Sequence, residues 1–163
     1  MSKAKTPVTT AVRALRAGGI DFVPHLYDYV ERGGTKHSSA AIGVEEHAVI
    51  KTIVLVDADG KPMLALMHGD LEVSTRNLAR HLGVKSVTPA DPATATRHTG
   101  YAFGGTSPFG TRSPLPIYMP ESILELPKIY INGGKRGFLV EIDPKELRRV
   151  LEPQLVELAA TRG

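Results

Sequence analysis

Val49-Ile-Lys-Thr-Ile-Val-Leu-Val56 runs into Asp57-Ala-Asp-Gly60 and then into Lys61-Pro-Met-Leu-Ala-Leu-Met67. The first block is β-branched and apolar, the composition of a buried strand. Asp-Ala-Asp-Gly has the chemistry of a hairpin turn, and the last block is the returning strand. A β-hairpin therefore sits near the middle of the chain, and a sheet is the frame around which the rest must pack.

Upstream, Thr6-Pro7 reads as a helix start, with Thr as N-cap and Pro at the first helical position. Val8, Ala11, Val12 and Leu15 would share one face, and Gly18-Gly19 would stop the helix. Phe22 to Tyr29 is a strand candidate, Gly33-Gly34-Thr-Lys-His-Ser38 a loop, and Ala40 to Val49 a helix. Downstream, Ser74 caps a helix through Leu82 that ends at Gly83. Val84 to Val87 is a short strand, and Asp91-Pro92 starts a helix ending near Gly100. Leu115 to Met119 and Lys128 to Ile131 read as strands. Asn132-Gly133-Gly134 turns the chain into a strand at Phe138 to Ile142. Asp143-Pro144 starts a last helix with Leu147, Val150 and Leu151 on one face. Strands and helices mix without regular βαβ alternation. The expected fold is an α+β (α/β) domain with a strongly curved mixed sheet.

The chain has 163 residues, which fits one domain over 1–163 with a core of its own. It has no cysteine, so disulfides, zinc–thiolate sites and a cysteine nucleophile are excluded. Met1-Ser-Lys-Ala-Lys-Thr-Pro7 lacks the apolar core of a signal peptide, and no run has the ~18 apolar residues of a membrane span. A cytoplasmic protein without membrane attachment is expected. Twenty Lys and Arg against 17 Asp and Glu give a net charge of +3, too small to argue by itself for nucleic acid. Arg97, Arg112, Lys128, Lys135 and Arg136 fall in or beside glycine- and proline-rich loops.

The stretch with most chemical content is Thr99-Gly-Tyr-Ala-Phe-Gly-Gly-Thr-Ser-Pro-Phe-Gly110. Its four glycines let backbone N–H groups approach a ligand without a Cβ between, and Pro108 stiffens the run. It matches neither the dinucleotide nor the P-loop pattern. It is either a tight structural loop or a cradle for a carbonyl or phosphate oxygen. Lys51 is the odd residue of its strand. It points to solvent, or it stands at a pocket edge as a cation for a phosphate or a polarised carbonyl. The six histidines show no HExxH and no paired metal spacing, so neither a metal nor a cofactor is expected. Ser107 lies in Gly-Thr-Ser-Pro, not in the G-x-S-x-G elbow of a serine hydrolase.

Lys51-Thr52, Ser86-Val-Thr-Pro-Ala-Asp91, Thr99-Gly-Tyr-x-x-Gly-Gly-x-Ser-Pro108 and Gly133-Gly-Lys-Arg-Gly137 occur in that order. Together they resemble the YbaK family of aminoacyl-tRNA deacylases, relatives of the editing domain inserted in bacterial prolyl-tRNA synthetase. The likeness runs from about Thr6 to the last helix. It implies a single domain around a barrel-like mixed sheet flanked by helices, and editing in trans. The implied substrate is Cys-tRNA(Pro), or Cys-tRNA(Cys), with Ala-tRNA(Pro) or another small aminoacyl-tRNA as the alternative. Prolyl-tRNA synthetase is the implied partner, and a non-catalytic tRNA- or synthetase-binding module is the alternative of another class. In the cysteine-specific branch the substrate's thiol attacks its own ester, so the enzyme supplies position and an oxyanion site. Carried onto this chain, Lys51, Gly104 and Gly105 take the catalytic positions. Tyr27, Thr106, Ser107, Pro108, Asn132, Gly133 and Gly134 surround the substrate. Leu139 stands where the cysteine-specific relative has an aspartate soon after its Gly-Gly-Lys-Arg-Gly.

Overall fold

A computed structural model describes residues 6–160. Residues 1–5 and 161–163, to which the single-domain and leader readings extend, lie outside the described residues. The central hairpin is β2 (Val49–Asp57) and β3 (Pro62–His68), paired antiparallel from Ile50↔His68 to Val56↔Pro62. β3 is buried on both faces. Leu64 and Leu66 enter one core, while Met63, Ala65 and Met67 enter another on the opposite face. That is why its sequence is continuously apolar rather than alternating.

The other strands are β1 (Val23–Leu26), β4 (Val87–Pro89), β5 (Ile117–Met119), β6 (Ile129–Lys135), β7 (Phe138–Ile142) and β8 (Gln154–Leu155). They form one eight-stranded mixed sheet in the order β1-β7-β6-β2-β3-β5-β8, with β4 also paired to β2. β2–β6, β3–β5 and β5–β8 are parallel, and the remaining pairs are antiparallel. The helices are α1 (Thr10–Ala17), α2 (Gly34–Ile42), α3 (Thr75–Leu82), α4 (Pro92–Thr99) and α5 (Pro144–Leu151). Ala11, Val12 and Leu15 of α1 and Leu147 of α5 fill the first core. Leu78 and Ala79 of α3 fill the second. The mixed sheet flanked by helices matches the sequence expectation. No described helix is long and apolar enough to cross a membrane.

Three caps stand where the sequence placed them. Ser74 accepts from Asn77 N–H, Asp91 from Thr94 N–H, and Gly83 closes α3 at φ 68°. Other boundaries differ. The first N-cap is Thr9, not Thr6. Its hydroxyl accepts from Val12 N–H and donates to the Gly133 carbonyl at 2.6 Å, a tertiary bond that fixes the helix start. Val8 is consequently exposed. Gly33–Ser38 is not a loop, and the second helix does not run from Ala40 to Val49. α2 begins at Gly34, and Gly43 ends it at φ 74°. The Thr35 hydroxyl ties its first turn to Glu46 and to the Gly69 carbonyl. The strand expected over 22–29 shrinks to Val23–Leu26, because only these residues pair with β7. β4 starts at Val87, where register with Asp57 begins, and β5 starts at Ile117.

The largest correction concerns Asn132-Gly133-Gly134. β6 continues through it to Lys135, and the turn falls after that residue. The Asn132 Oδ1 accepts from Gly134 N–H at 2.7 Å and Lys135 N–H at 3.1 Å, which folds the three residues into a bulge within the strand. Gly133 is there for packing. A Cβ on it would lie 2.4 Å from a ring carbon of Phe138, which is fully buried. Gly133→Ala should therefore lose about 1–3 kcal/mol of stability through overpacking. A thermal melt equal to that of the parent would refute this packing role.

His68 ends β3 fully buried. Its Nδ1–H donates to the His47 carbonyl at 2.8 Å, and the Ser122 hydroxyl donates to Nε2 at 2.7 Å. The His47 ring stacks on it at 3.8 Å. Burial lowers the His68 pKa, with a smaller repulsion from His47. In the unfolded chain His68 protonates near the ordinary histidine value of about 6.5. The folded state takes the proton only at lower pH, so this contribution to stability is present above pH ~6.5 and is lost as pH falls through the folded pKa. Urea midpoints should fall between pH 7.5 and 5.5, and His68→Gln should flatten that slope. An equal slope in the variant would remove His68 from the acid sensitivity.

Candidate active site at the split edge of the sheet

β2 has neighbours on both sides, but on one side they do not meet. Register with β6 ends at Ile50↔Ile131, and register with β4 begins at Leu55↔Pro89. The Val54 carbonyl accepts from Ala90 N–H, so the even-numbered residues of β2 turn their backbone groups away from β3. Thr52, midway in the gap, therefore presents its N–H and C=O to an opening rather than to a strand. Its Oγ1 is also buried without a hydrogen-bond partner among the described residues. A cavity of about 910 Å³ occupies this opening.

The structure brings Lys51, Thr52, Tyr27, Gly104, Thr106 and Asn132 to the wall of that cavity. Lys51 arrives on β2. Its ammonium lies 3.4 Å from a Glu72 carboxylate oxygen, with the lysine side chain 22% and the glutamate 84% exposed. A pair so exposed on one side contributes little stability, and leaves the ammonium able to exchange partners. Tyr27 follows β1, where its N–H donates to the Gly137 carbonyl. Partial burial raises its phenol pKa, with Tyr29 adding to the rise.

Gly104 and Thr106 belong to the glycine loop, which the β6–β7 hairpin holds at two points. Asn132 Nδ2 donates to the Gly104 carbonyl at 3.1 Å, and Arg136 Nε donates to the Phe103 carbonyl at 2.7 Å. The N–H groups of Gly104 and Thr106 have no hydrogen-bond acceptor among the described residues. Two residues with unengaged backbone donors and one cationic residue thus line the same cavity, and groups of these kinds can stabilise negative charge growing on an oxygen.

The remaining sequence candidates are not on the cavity wall. Ser107 is fully buried with its Oγ accepting from Phe109 N–H, and Pro108 is buried beside it. Tyr101 donates to the Phe109 carbonyl from below, and burial pushes its phenol pKa up to about 12. Gly134 backs onto Tyr101, Ala11 and Thr9, and Gly133 onto Phe138. Gly105 backs onto Lys135 and Arg136. These residues form the support behind the wall. The site also includes residues the sequence reading passed over. Phe103 is in the quoted loop, and Tyr29 and Arg32 follow Tyr27 by two and five positions. Leu139 lines the cavity too, so the wall is apolar at the position where the resemblance would place an acid. Among the described residues no cluster of His, Asp and Glu is placed to hold a metal ion.

The profile of the aminoacyl-tRNA editing domain matches residues 34–150, which is most of the chain and includes Lys51, the loop and the hairpin. The chain belongs to the aminoacyl-tRNA editing domain family. It is accordingly an aminoacyl-tRNA deacylase. A relative from Enterococcus faecalis, provisionally named the Cys-tRNA(Pro)/Cys-tRNA(Cys) deacylase EbsC, is 28% identical over 97% of this chain and 98% of its own length. A proline–tRNA ligase from Geobacter sp. strain M21 is 32% identical over 58% of the chain, a match that spans 17% of the ligase. The crystal structure of a provisional trans-editing enzyme for prolyl-tRNA synthetase superposes with a TM-score of 0.81 at 27% identity. It covers 96% of this chain and 100% of the other.

An alanine Cβ at Gly105 would meet the Arg136 nitrogen at 3.0 Å and the Lys135 carbonyl carbon at 3.1 Å. The loop would have to lift off the hairpin by a few tenths of an ångström. A misplacement of 1 Å can cost ~100-fold in rate, so Gly105→Ala should slow deacylation about tenfold with little change in melting temperature. An unaltered rate would show that the spacing between loop and hairpin does not bear on the reaction.

Proposed function

We propose that this protein edits in trans, clearing tRNA(Pro) that carries the wrong amino acid, with Cys-tRNA(Pro) as its principal substrate. The observation that carries the reading is the cavity wall itself. Lys51 lines the same cavity as Gly104 and Thr106, whose N–H groups are unengaged, and among the described residues none of the serine and threonine hydroxyls there, of Thr35, Ser38, Thr52 and Thr106, is hydrogen-bonded to a histidine base. The likeness to the Enterococcus protein, end to end, supports the substrate.

In this reading the ester carbonyl of the aminoacyl group lies against the loop donors, and Lys51 leaves Glu72 for the oxygens at the aminoacyl-adenosine end. The substrate's thiol, as thiolate, attacks the carbonyl carbon, and the oxyanion forms on the carbonyl oxygen facing Gly104 and Thr106. Collapse breaks the ester bond. The 3′-terminal ribose oxygen leaves and takes a proton, and the amino acid departs as its thiolactone. The Thr52 carbonyl is the acceptor for the α-ammonium. The buried Ser107 forms no acyl-enzyme. Prolyl-tRNA synthetase is the partner that delivers the mischarged product.

Leu139 favours a second reading. With an apolar side chain there, the pocket fits alanine as well as cysteine, and water or the ribose hydroxyl becomes the attacking group. A panel of Cys-, Ala-, Ser- and Pro-tRNA(Pro), with and without the synthetase, decides. Cys-tRNA(Pro) should be cleared fastest, Ser-tRNA(Pro) slowly because a hydroxyl is the weaker nucleophile near neutral pH, and Pro-tRNA(Pro) spared. Equal rates on Cys and Ala would replace the thiol mechanism by the second reading, and cleavage of none would refute the function. Lys51→Ala should lower kcat/KM about 100–1000-fold, as loss of one charge-stabilising group does, with an unchanged circular dichroism spectrum. Activity within twofold of the parent would remove Lys51 from the mechanism.

A further inference from the structure

The mouth of the cavity carries large side chains that the reaction centre leaves unused. Phe103 is 64% exposed, Tyr29 38% and Val30 48%, and all three line the opening. Scattered exposed apolar residues are ordinary, but these converge on one rim and are held in place. The Phe103 carbonyl is fixed by Arg136 Nε, so the backbone that carries the ring is anchored while the ring stays open to solvent. The Arg136 guanidinium lies over the Tyr29 ring, 5.3 Å from its centroid. The Tyr29 hydroxyl rests against Gly104, at 2.8 Å from where a Cβ would be. Lys51, Arg32 and Arg136 line the same cavity against Glu31 alone among acids. An aromatic rim with excess positive charge, beside the loop that faces the ester, is the chemistry of a single-stranded nucleic-acid end. Flat bases stack on aromatic rings and guanidinium planes, and cations hold the phosphates between them.

We infer that Phe103, with the Tyr29–Arg136 stack, is a platform for the nucleobase of the 3′-terminal nucleotide. This rests on the editing reading and adds to it the groups that read the nucleic-acid half of the substrate. The platform adjoins Gly104, so a base resting on it belongs to the nucleotide that bears the ester. Arg136 then has two tasks, fixing the loop through Nε and flanking the base with its guanidinium plane. Stacking discriminates weakly among bases, so the platform secures the end of any tRNA and leaves choice of tRNA to other contacts.

The test uses the full chain and a CCA-ended acceptor-stem minihelix with 2-aminopurine as the 3′-terminal base. Fluorescence should be quenched on binding to the parent and to Phe103→Trp, and clearly less on binding to Phe103→Ala, which removes the Phe103 ring and leaves only the Tyr29–Arg136 stack. In deacylation of intact aminoacyl-tRNA, Phe103→Ala should raise KM about tenfold, with the loss in kcat much smaller, and Phe103→Trp should restore KM. Because the ring is exposed, folding is expected to survive, and a melting curve verifies this. Quenching by Phe103→Ala equal to the parent, or an unchanged KM, would overturn the platform while leaving the editing function in place. If no aminoacyl-tRNA is cleaved by the parent, the function fails, but quenching that depends on the ring would still support the platform.

Discussion

The strand β2 has to satisfy three neighbours along nine residues, and it does so by dividing one edge between two of them. β6 takes the beginning and β4 the end. Between them the hydrogen-bonding edge faces no strand, a position that in most sheets would invite another chain or leave costly unpaired groups. Here the gap is covered by α2, the Tyr27–Gly33 segment and the glycine loop, which leave a cavity rather than a seal. The other elements near the site serve this arrangement. β3 pairs with β2 along most of its length, and the β6–β7 hairpin holds the glycine loop through Asn132 and Arg136.

Much of the fold was legible because it rests on local signals. The β2–β3 hairpin, the Ser74 cap and the Asp91-Pro92 start each depend on residues within a few positions of one another. What was not legible depends on contacts distant in sequence. Thr9 outcompetes Thr6 as N-cap because its hydroxyl also reaches Gly133, 124 residues away. α2 looks like a loop because its opening glycines are poor helix formers. Its first turn holds because Thr35 is tied to Glu46 and Gly69. Asn132-Gly-Gly looks like a turn because those residues favour positive φ. Only the Asn132 side chain, bonding forward to two N–H groups, converts them into a bulge.

The site was half legible for a related reason. A cluster of glycines announces that backbone must come close to something, but not to what. At Gly104 and Thr106 the loop lies open to the cavity. At Gly105, Gly133 and Gly134 the close neighbour is the protein itself. Lys51 was visible as a charge in an apolar strand. Thr52 was not, because its distinction lies in the strand pairing on either side and not in its own chemistry. Ser107 and Pro108 share the motif with Gly104 but face inward, where they shape the loop.

The hold of Asn132 and Arg136 on the loop has a thermodynamic consequence for whatever enters the cavity. Two side chains of one hairpin fix the carbonyls of two successive loop residues, 28 and 33 positions away in sequence. The conformational entropy of the loop is surrendered when the chain folds, not when a ligand arrives. An incoming molecule therefore meets donors already oriented and pays chiefly for its own immobilisation. Such a pocket cannot adapt its walls to each guest. It sorts molecules by whether their own shape places the reactive bond against a fixed frame.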